Sequence, residues 1–337
     1  MRLMMPFALT MTAPFAGCAP KGEPSSGGDT SIEASEPSTD SETGAIADTG
    51  DGVENDTAVT DTVDDTATTG TAGDTADDAT SEPEASHCEI GEFTLTCDHQ
   101  TTTLYTGFTG LLPREVHWQV PLGEAPAGGW PTVVLFQGSL FTAELFWIVL
   151  DVEVFGFWNQ GLLTKSLLDS GFAVLTPEAH AGGATAWDTN IPPMSLWWEL
   201  SEDNQFMLDI FEHIDAGGFG ALDTDRLYAS GISSGGYMTS RMDLEYRERF
   251  RALAIQSASY ATCAGPVCSV PDLDAGHLPT LFLHGADDLI VPLYTMEPYH
   301  EALQALGVDT EAIIQDGVGH GWIDPAPEAI TDWFARH

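Results

Sequence analysis

Beyond residue 93 the chain alternates between short, continuous apolar runs and longer stretches in which apolar and polar residues mix. Strands buried on both faces read as unbroken apolar runs, so the alternation predicts an α/β architecture: a mainly parallel sheet with helices on both faces. Eight strands are expected, near residues 93–97, 117–120, 133–136, 173–175, 227–230, 252–256, 280–283 and 311–314. Five helices are expected near 161–169, 204–214, 236–247, 296–306 and 327–335, and Ser201-Glu202-Asp203-Asn204 offers the second a capped start. Nothing in the pattern repeats, so residues 87–337 are expected to form one folded domain.

Upstream of residue 86 the pattern vanishes. Residues 19–86 are built mostly from Ser, Thr, Asp, Glu, Gly and Ala with no aromatic side chain, too little apolar surface to offset the entropy of ordering, which predicts a disordered tether. It holds 18 of the 52 acidic residues against Lys21 alone, and self-repulsion extends such a chain. Asp48, Asp51, Asp56, Asp61, Asp64 and Asp65 lack the spacing of a calcium loop and read as a solvated charge run. The other acids outnumber the Lys and Arg of residues 87–337 by 34 to eight, a balance that argues against nucleic acid or an anionic surface as partner.

Residues 1–18, MRLMMPFALTMTAPFAGC, place one Arg before an apolar run too short to span a bilayer comfortably and end in small residues, the layout of an export signal. Phe15-Ala16-Gly17-Cys18 resembles the lipobox of bacterial lipoproteins, with Phe where Leu is usual. This predicts lipidation of Cys18 and a membrane contact through that anchor only; plain secretion is the alternative. Outside the cytosol thiols tend to pair. Cys88, Cys97, Cys263 and Cys268 allow three pairings, of which two short loops, 88 with 97 and 263 with 268, are the simplest. With neither a Cys-x-x-Cys pair nor a His-x-x-x-His helix, no metal or other cofactor is expected.

The chemistry is concentrated in Gly231-Ile232-Ser233-Ser234-Gly235, which follows an apolar run and precedes a helical pattern. A Gly-x-Ser-x-Gly between strand and helix is a nucleophile elbow, the mark of the α/β-hydrolase fold, and its glycines clear a turn too tight for side chains. A serine hydroxyl needs a base, and the base needs a carboxylate to orient it; in this fold the chain order is Ser, acid, His. His284-Gly285-Ala286-Asp287-Asp288, ahead of Pro292, places Asp288 at the usual acid position, with Asp287 as its rival and His284 as a structural residue. The base is expected after the last strand, and of ten histidines only His320 stands there between two glycines, Gly319 and Gly321. An oxyanion needs two N–H donors: Ser234 supplies one, and Ser139 is the candidate for the other, in a loop where Gln137-Gly138 replaces the usual His-Gly.

The stretch from Gly231 to Met242 resembles the lipase box of extracellular medium-chain-length polyhydroxyalkanoate depolymerases, as do Trp198-Glu199-Leu200-Ser201-Glu202-Asp203-Asn204, residues 254–263 and the spacing of Ser233, Asp288 and His320. The resemblance extends over nearly all of residues 87–337 and implies a compact catalytic domain that hydrolyses aliphatic polyesters. The acidic tether and lipobox depart from that family. Independently, residues 140–158 are unusually apolar, fitting either an apolar wall beside the nucleophile or a buried helix. Phe141, Trp147, Trp198 and Trp322 are the candidates for substrate contact. A polyester depolymerase, a small-ester carboxylesterase or lipase, and a non-catalytic surface-binding protein all remain open, the last opposed by the complete triad; oligomeric state is not legible.

Overall fold

The computed structural model describes residues 85–151, 154–179, 186–190, 192, 194–263 and 268–337. The export segment with Cys18, and all but the last two residues of the tether, lie outside the described residues. In chain order the elements are β1 (Cys88–Ile90), β2 (Thr94–Cys97), β3 (Gln100–Thr106), β4 (Leu112–Gln119), β5 (Trp130–Phe136), β6 (Ile148–Leu150), α1 (Phe157–Asp169), β7 (Ala173–Pro177), α2 (Glu202–Asp215), β8 (Leu222–Ile232), α3 (Ser234–Tyr246), β9 (Phe250–Gln256), β10 (Thr280–Gly285), α4 (Glu297–Leu306), β11 (Thr310–Gln315) and α5 (Ala326–Arg336).

Eight strands form the main sheet in the order β11-β10-β9-β8-β5-β7-β4-β3. The six from β11 to β7 are parallel, and β4 and β3 join antiparallel. Side chains alternate across the sheet. Val133 and Leu135 of β5 therefore pack with α1 and α5 on one face, through Leu163, Leu167, Ile330 and Trp333. Val134 and Phe136 face the other way, against Phe206 and Ile210 of α2 and Met238 and Met242 of α3. With both faces covered, β7 and β10 are buried throughout their length. All five expected helices are present, and the second is capped as anticipated: the Ser201 hydroxyl accepts the Asp203 N–H at 3.0 Å.

The main sheet has the eight strands expected, but one member differs. The strand near 93–97 is β2, which belongs to a separate three-stranded sheet, β1-β2-β6. Its place in the main sheet is taken by β3, Gln-Thr-Thr-Thr-Leu-Tyr-Thr, which has no apolar run because it is an edge strand with only Thr106 buried. The apolar stretch at 140–158 is not a single buried helix. It breaks into a short 3-10 turn (Ala143–Phe146), β6 and the start of α1, sending Phe146, Trp147 and Val149 into the core and leaving Ile148 and Leu150 exposed. Cystines join Cys88 to Cys97 across the β1–β2 pair and Cys263 to Cys268.

From β5 the chain passes to β7 on one side and then returns to β8 on the other. The crevice at the carboxyl ends of β5 and β8 is thus a topological switch point, where sheets of this kind bind ligands.

Candidate active site

Ser233 stands at the end of β8 with φ 55° and ψ −121°, a left-handed conformation rare for a residue with a side chain. The neighbouring glycines show why the turn takes this shape. A Cβ on Gly235 would lie 2.1 Å from the Phe136 carbonyl oxygen and 2.5 Å from that of Gln137. One on Gly231 would lie 2.5 Å from the Gly235 carbonyl oxygen. The elbow is held from behind by its own backbone: Ser233 N–H donates to the Gln256 carbonyl at 3.0 Å, and the Ser233 carbonyl accepts the Tyr237 N–H.

Asp288 follows β10 and is 3% exposed. Its two oxygens divide the work. Oδ1 accepts the N–H groups of Ile290 and Val291 at 2.9 and 2.8 Å, and Oδ2 lies 2.7 Å from His320 Nδ1. Burial pushes the Asp288 carboxyl up, but hydrogen bonds from His284 and His320, the charge on His320 and the Val291 N–H outweigh it and hold the group well below the usual carboxylate range. An ionised carboxylate only accepts, so Nδ1 of His320 carries the proton and Nε2 of the neutral ring is left as the basic atom. Asp287 is exposed, and its N–H is spent on the Val318 carbonyl.

His284, read from the sequence as structural, lies closer to the site than that. Its Nε2 is 2.8 Å from the Val291 carbonyl, which can only accept, and 3.4 Å from Asp288 Oδ2. It therefore presents an N–H to the same carboxylate oxygen that His320 uses.

The His320 loop is seated by glycine too. A Cβ on Gly285 would lie 2.3 Å from the Gly319 carbonyl oxygen. Trp322 N–H donates to the Phe155 carbonyl at 2.9 Å, and the Phe155 ring comes within 6.2 Å of the His320 ring. Ser233 and His320 meet through Gln256, whose carbonyl takes the Ser233 N–H and whose Nε2 donates to the Gly321 carbonyl at 2.8 Å.

Ser234 is the first residue of α3, where the helix leaves N–H groups without a partner in its own ladder. Ser139 is half-buried in the loop after β5, and the Cβ position of the adjoining Gly138 lies 3.7 Å from the Ser233 Cβ. Two side chains that sequence reasoning gave no such task clamp this loop. Gln137 donates through Nε2 to the Phe141 carbonyl and accepts the Ala179 N–H at 3.3 Å, while buried Glu178 accepts the Ala143 N–H at 2.9 Å. The available signal was a Gln where His is usual and a carboxylate directly after an apolar strand.

Of the four substrate-contact candidates, Phe141 alone is near the chemistry and partly open. It packs on Phe155 and Phe157, with ring centroids 5.5 and 4.7 Å away, and Phe155 adjoins His320. The three tryptophans are corrections: all are core residues, each with its indole N–H committed to a partner in the interior. Trp147 bonds Thr176, Trp198 bonds Tyr246 and Trp322 bonds Gln160. Trp322 nevertheless borders a cleft of about 440 Å3 that Phe155, Trp158 and His320 also line. A second, apolar groove of about 560 Å3 lies beyond Phe157, bounded by Leu145, Ile148 and Leu150. Among the described residues no group of three His, Cys, Asp or Glu is arranged to hold a metal ion.

A strand–Ser–helix elbow at the switch point of an eight-stranded, mainly parallel sheet defines the class as α/β-hydrolase. Residues 142–335 match the dienelactone hydrolase family, to which the chain belongs, and it is a serine-type ester hydrolase. The poly(3-hydroxyoctanoate) depolymerase of Pseudomonas fluorescens is 44% identical to it over 244 residues, 72% of this chain and 86% of that protein. Among solved structures, an acylaminoacyl peptidase of Pyrococcus horikoshii superposes with a TM-score of 0.50 at 14% identity, over 71% of this chain and 41% of that one. A putative dienelactone hydrolase from Klebsiella pneumoniae gives 0.48 at 17% identity, over 71% and 99%. At 14% identity the likeness to the Pyrococcus protein speaks for the fold alone.

The geometry separates the two neighbouring acids. Asp288→Asn is expected to lower kcat on a soluble p-nitrophenyl ester by roughly 10⁴-fold, because an amide holds the imidazole in the wrong tautomer, whereas Asp287→Asn leaves it nearly unchanged. Since Asp288 stays ionised through the ordinary carboxylate range, the wild-type rate should show no inflection there. A larger loss at Asp287, or an inflection in the carboxylate range, would contradict this assignment.

Proposed function

We propose that the enzyme depolymerises aliphatic polyesters of 3-hydroxy acids with medium-length alkyl side chains, using Ser233, His320 and Asp288 as its triad. The observation that carries this reading is the His320–Asp288 pair and the Ser233 elbow in a chain 44% identical to a poly(3-hydroxyoctanoate) depolymerase. Ser233 Oγ attacks the ester carbonyl carbon as His320 Nε2 takes its proton. The tetrahedral oxyanion is met by the N–H groups of Ser234 and Ser139. The imidazolium then returns the proton to the departing alkoxide, leaving an acyl-Ser233. Water, deprotonated by His320, repeats the sequence and releases the acid.

The alkyl side chain of a 3-hydroxyoctanoate unit needs an apolar track. Phe155 beside His320, then Phe141 and Phe157, then the groove of Leu145, Ile148 and Leu150 provide one. Each methylene buried there contributes up to about 0.8 kcal/mol. A solid polymer must also be met by the surface. Leu140 follows β5, Leu196 and Trp197 lie in the connection from β7, and Leu289, Ile290 and Tyr294 follow Asp288; all are exposed, Leu289 at 91%. Asp288 Oδ1 fixes the backbone that presents Leu289 and Ile290 outward.

Export with a lipid anchor at Cys18 belongs to the same proposal, supported by the lipobox and the acidic tether, which would hold the enzyme clear of the bilayer. Mass spectrometry of the mature N-terminus is expected to find diacylated Cys18 in the membrane fraction; an unmodified start with activity in the medium would point to plain secretion.

Across C2 to C12 p-nitrophenyl esters, kcat/KM should rise several-fold for every two carbons until the groove fills, and a suspension of medium-chain polyhydroxyalkanoate should clear. The pair Leu289→Ser and Ile290→Ser should slow clearing at least tenfold while soluble-ester kinetics stay within about twofold, the expected signature of lost adsorption. Rates that fall steadily from C2, with no clearing, would make the enzyme a small-ester carboxylesterase instead.

A further inference from the structure

We propose that Gln256 and Ser257 are positioning residues for His320: two adjoining buried side chains that fix the base loop relative to both the nucleophile and the acid. The proposal rests on the reading of Ser233 as nucleophile and His320 as base.

Gln256 ends β9 and Ser257 follows it; both are fully buried. An apolar strand that ends in an amide and a hydroxyl carries groups that destabilise the interior unless each finds a partner. Here the partners converge. The Gly321 carbonyl oxygen, one residue beyond His320, accepts from Gln256 Nε2 at 2.8 Å and from Ser257 Oγ at 3.0 Å. Gln256 Nε2 also lies 3.1 Å from the Leu283 carbonyl of β10, and Oε1 is 3.4 Å from the Ile323 N–H.

The backbone of the same two residues reaches the rest of the triad. The Gln256 carbonyl accepts the Ser233 N–H at 3.0 Å, and Ser257 N–H donates to the Leu283 carbonyl at 2.9 Å, on the strand that leads to Asp288. Two consecutive residues thus touch the nucleophile's elbow, the acid's strand and the base's loop.

Backbone strain points the same way. Ser257 has φ 48°, a left-handed conformation that glycine adopts without penalty. Glycine at this position would relieve the backbone but would lose the hydroxyl that holds Gly321.

The base loop needs such an anchor. Asp288 bonds His320 through Nδ1 and so sets the tautomer, but one bond at the edge of the ring leaves the distance between Nε2 and Ser233 to the loop itself. His320 lies between Gly319 and Gly321, which offer little side-chain packing. Two donors on the Gly321 carbonyl stop the loop from swinging about the Asp288 bond.

The test compares Gln256→Met, which keeps the volume and removes the donors, and Ser257→Ala with Ser240→Ala. Ser240 is an equally buried serine of α3 whose Oγ accepts the Ala261 N–H and contacts Tyr299, with no bond to the base loop. The readouts are kcat and KM on p-nitrophenyl octanoate, with the melting temperature as a measure of stability. Because misplacing a catalytic group by about an ångström costs on the order of 10²-fold, Gln256→Met should lose about that much kcat and Ser257→Ala about tenfold, with KM within about twofold of wild type. Ser240→Ala should lower the melting temperature as far as Ser257→Ala while keeping kcat within about twofold. If Gln256→Met does not fold, Ser257→Ala against Ser240→Ala decides. Equal kcat losses in the two serine variants, or losses carried by KM, would make both residues structural supports only. Wild-type turnover by Ser233→Ala would instead remove the reading of the nucleophile on which the proposal stands.

Discussion

The closeness of the turn at Ser233 to the end of β5 is the constraint on which the rest of the site depends. Gly235 passes so near the Phe136 and Gln137 carbonyls that no Cβ fits, and Gly231 is similarly crowded by Gly235. That contact forces Ser233 into its left-handed conformation, lifts its side chain above the sheet edge and brings the loop that begins at Gln137 against it. Remove the close approach and Ser233, the start of α3 and the loop after β5 lose their common reference.

Around that point the enzyme uses neutral amides as clamps. β8 lies between β5 and β9 in the sheet, and each neighbour ends in a glutamine: Gln137 directly after β5 and Gln256 as the last residue of β9. Gln137 ties the loop after β5 to Phe141 and Ala179, and Gln256 ties down the His320 loop through Gly321. An amide can donate and accept at once without adding charge. That matters beside the His320 imidazole, where a buried carboxylate or ammonium would compete with Asp288 for control of its protonation. Asp288 repeats the economy in ionised form, one oxygen for its own loop and one for His320.

Much of this was legible in the residues, and what was not has physical reasons. The parallel strands announced themselves because burial on both faces demands apolar runs; β3 did not, since an antiparallel edge strand can be built from threonine. Ser233, Asp288 and His320 stood out because the elbow, the acid loop and the final loop carry local glycine and aspartate signals. The tryptophans misled for a plain reason: an indole suits an apolar cleft and a core equally well, and only the partner of its N–H tells them apart. Trp147, Trp198 and Trp322 found theirs inside. Gln256 and Ser257 could not be read at all, because their partners Gly321 and Leu283 are distant in sequence and both are backbone carbonyls, which carry no residue-specific signal.

Whether Ser233 is the one hydroxyl activated by His320 is addressed directly by covalent labelling. After the enzyme is treated with a fluorophosphonate and digested, mass spectrometry should find one adduct per chain, on Ser233, and none in the Asp288→Asn variant over the same interval. An adduct on Ser139, Ser234 or Ser257, or a chain that stays unlabelled while it hydrolyses esters, would contradict it.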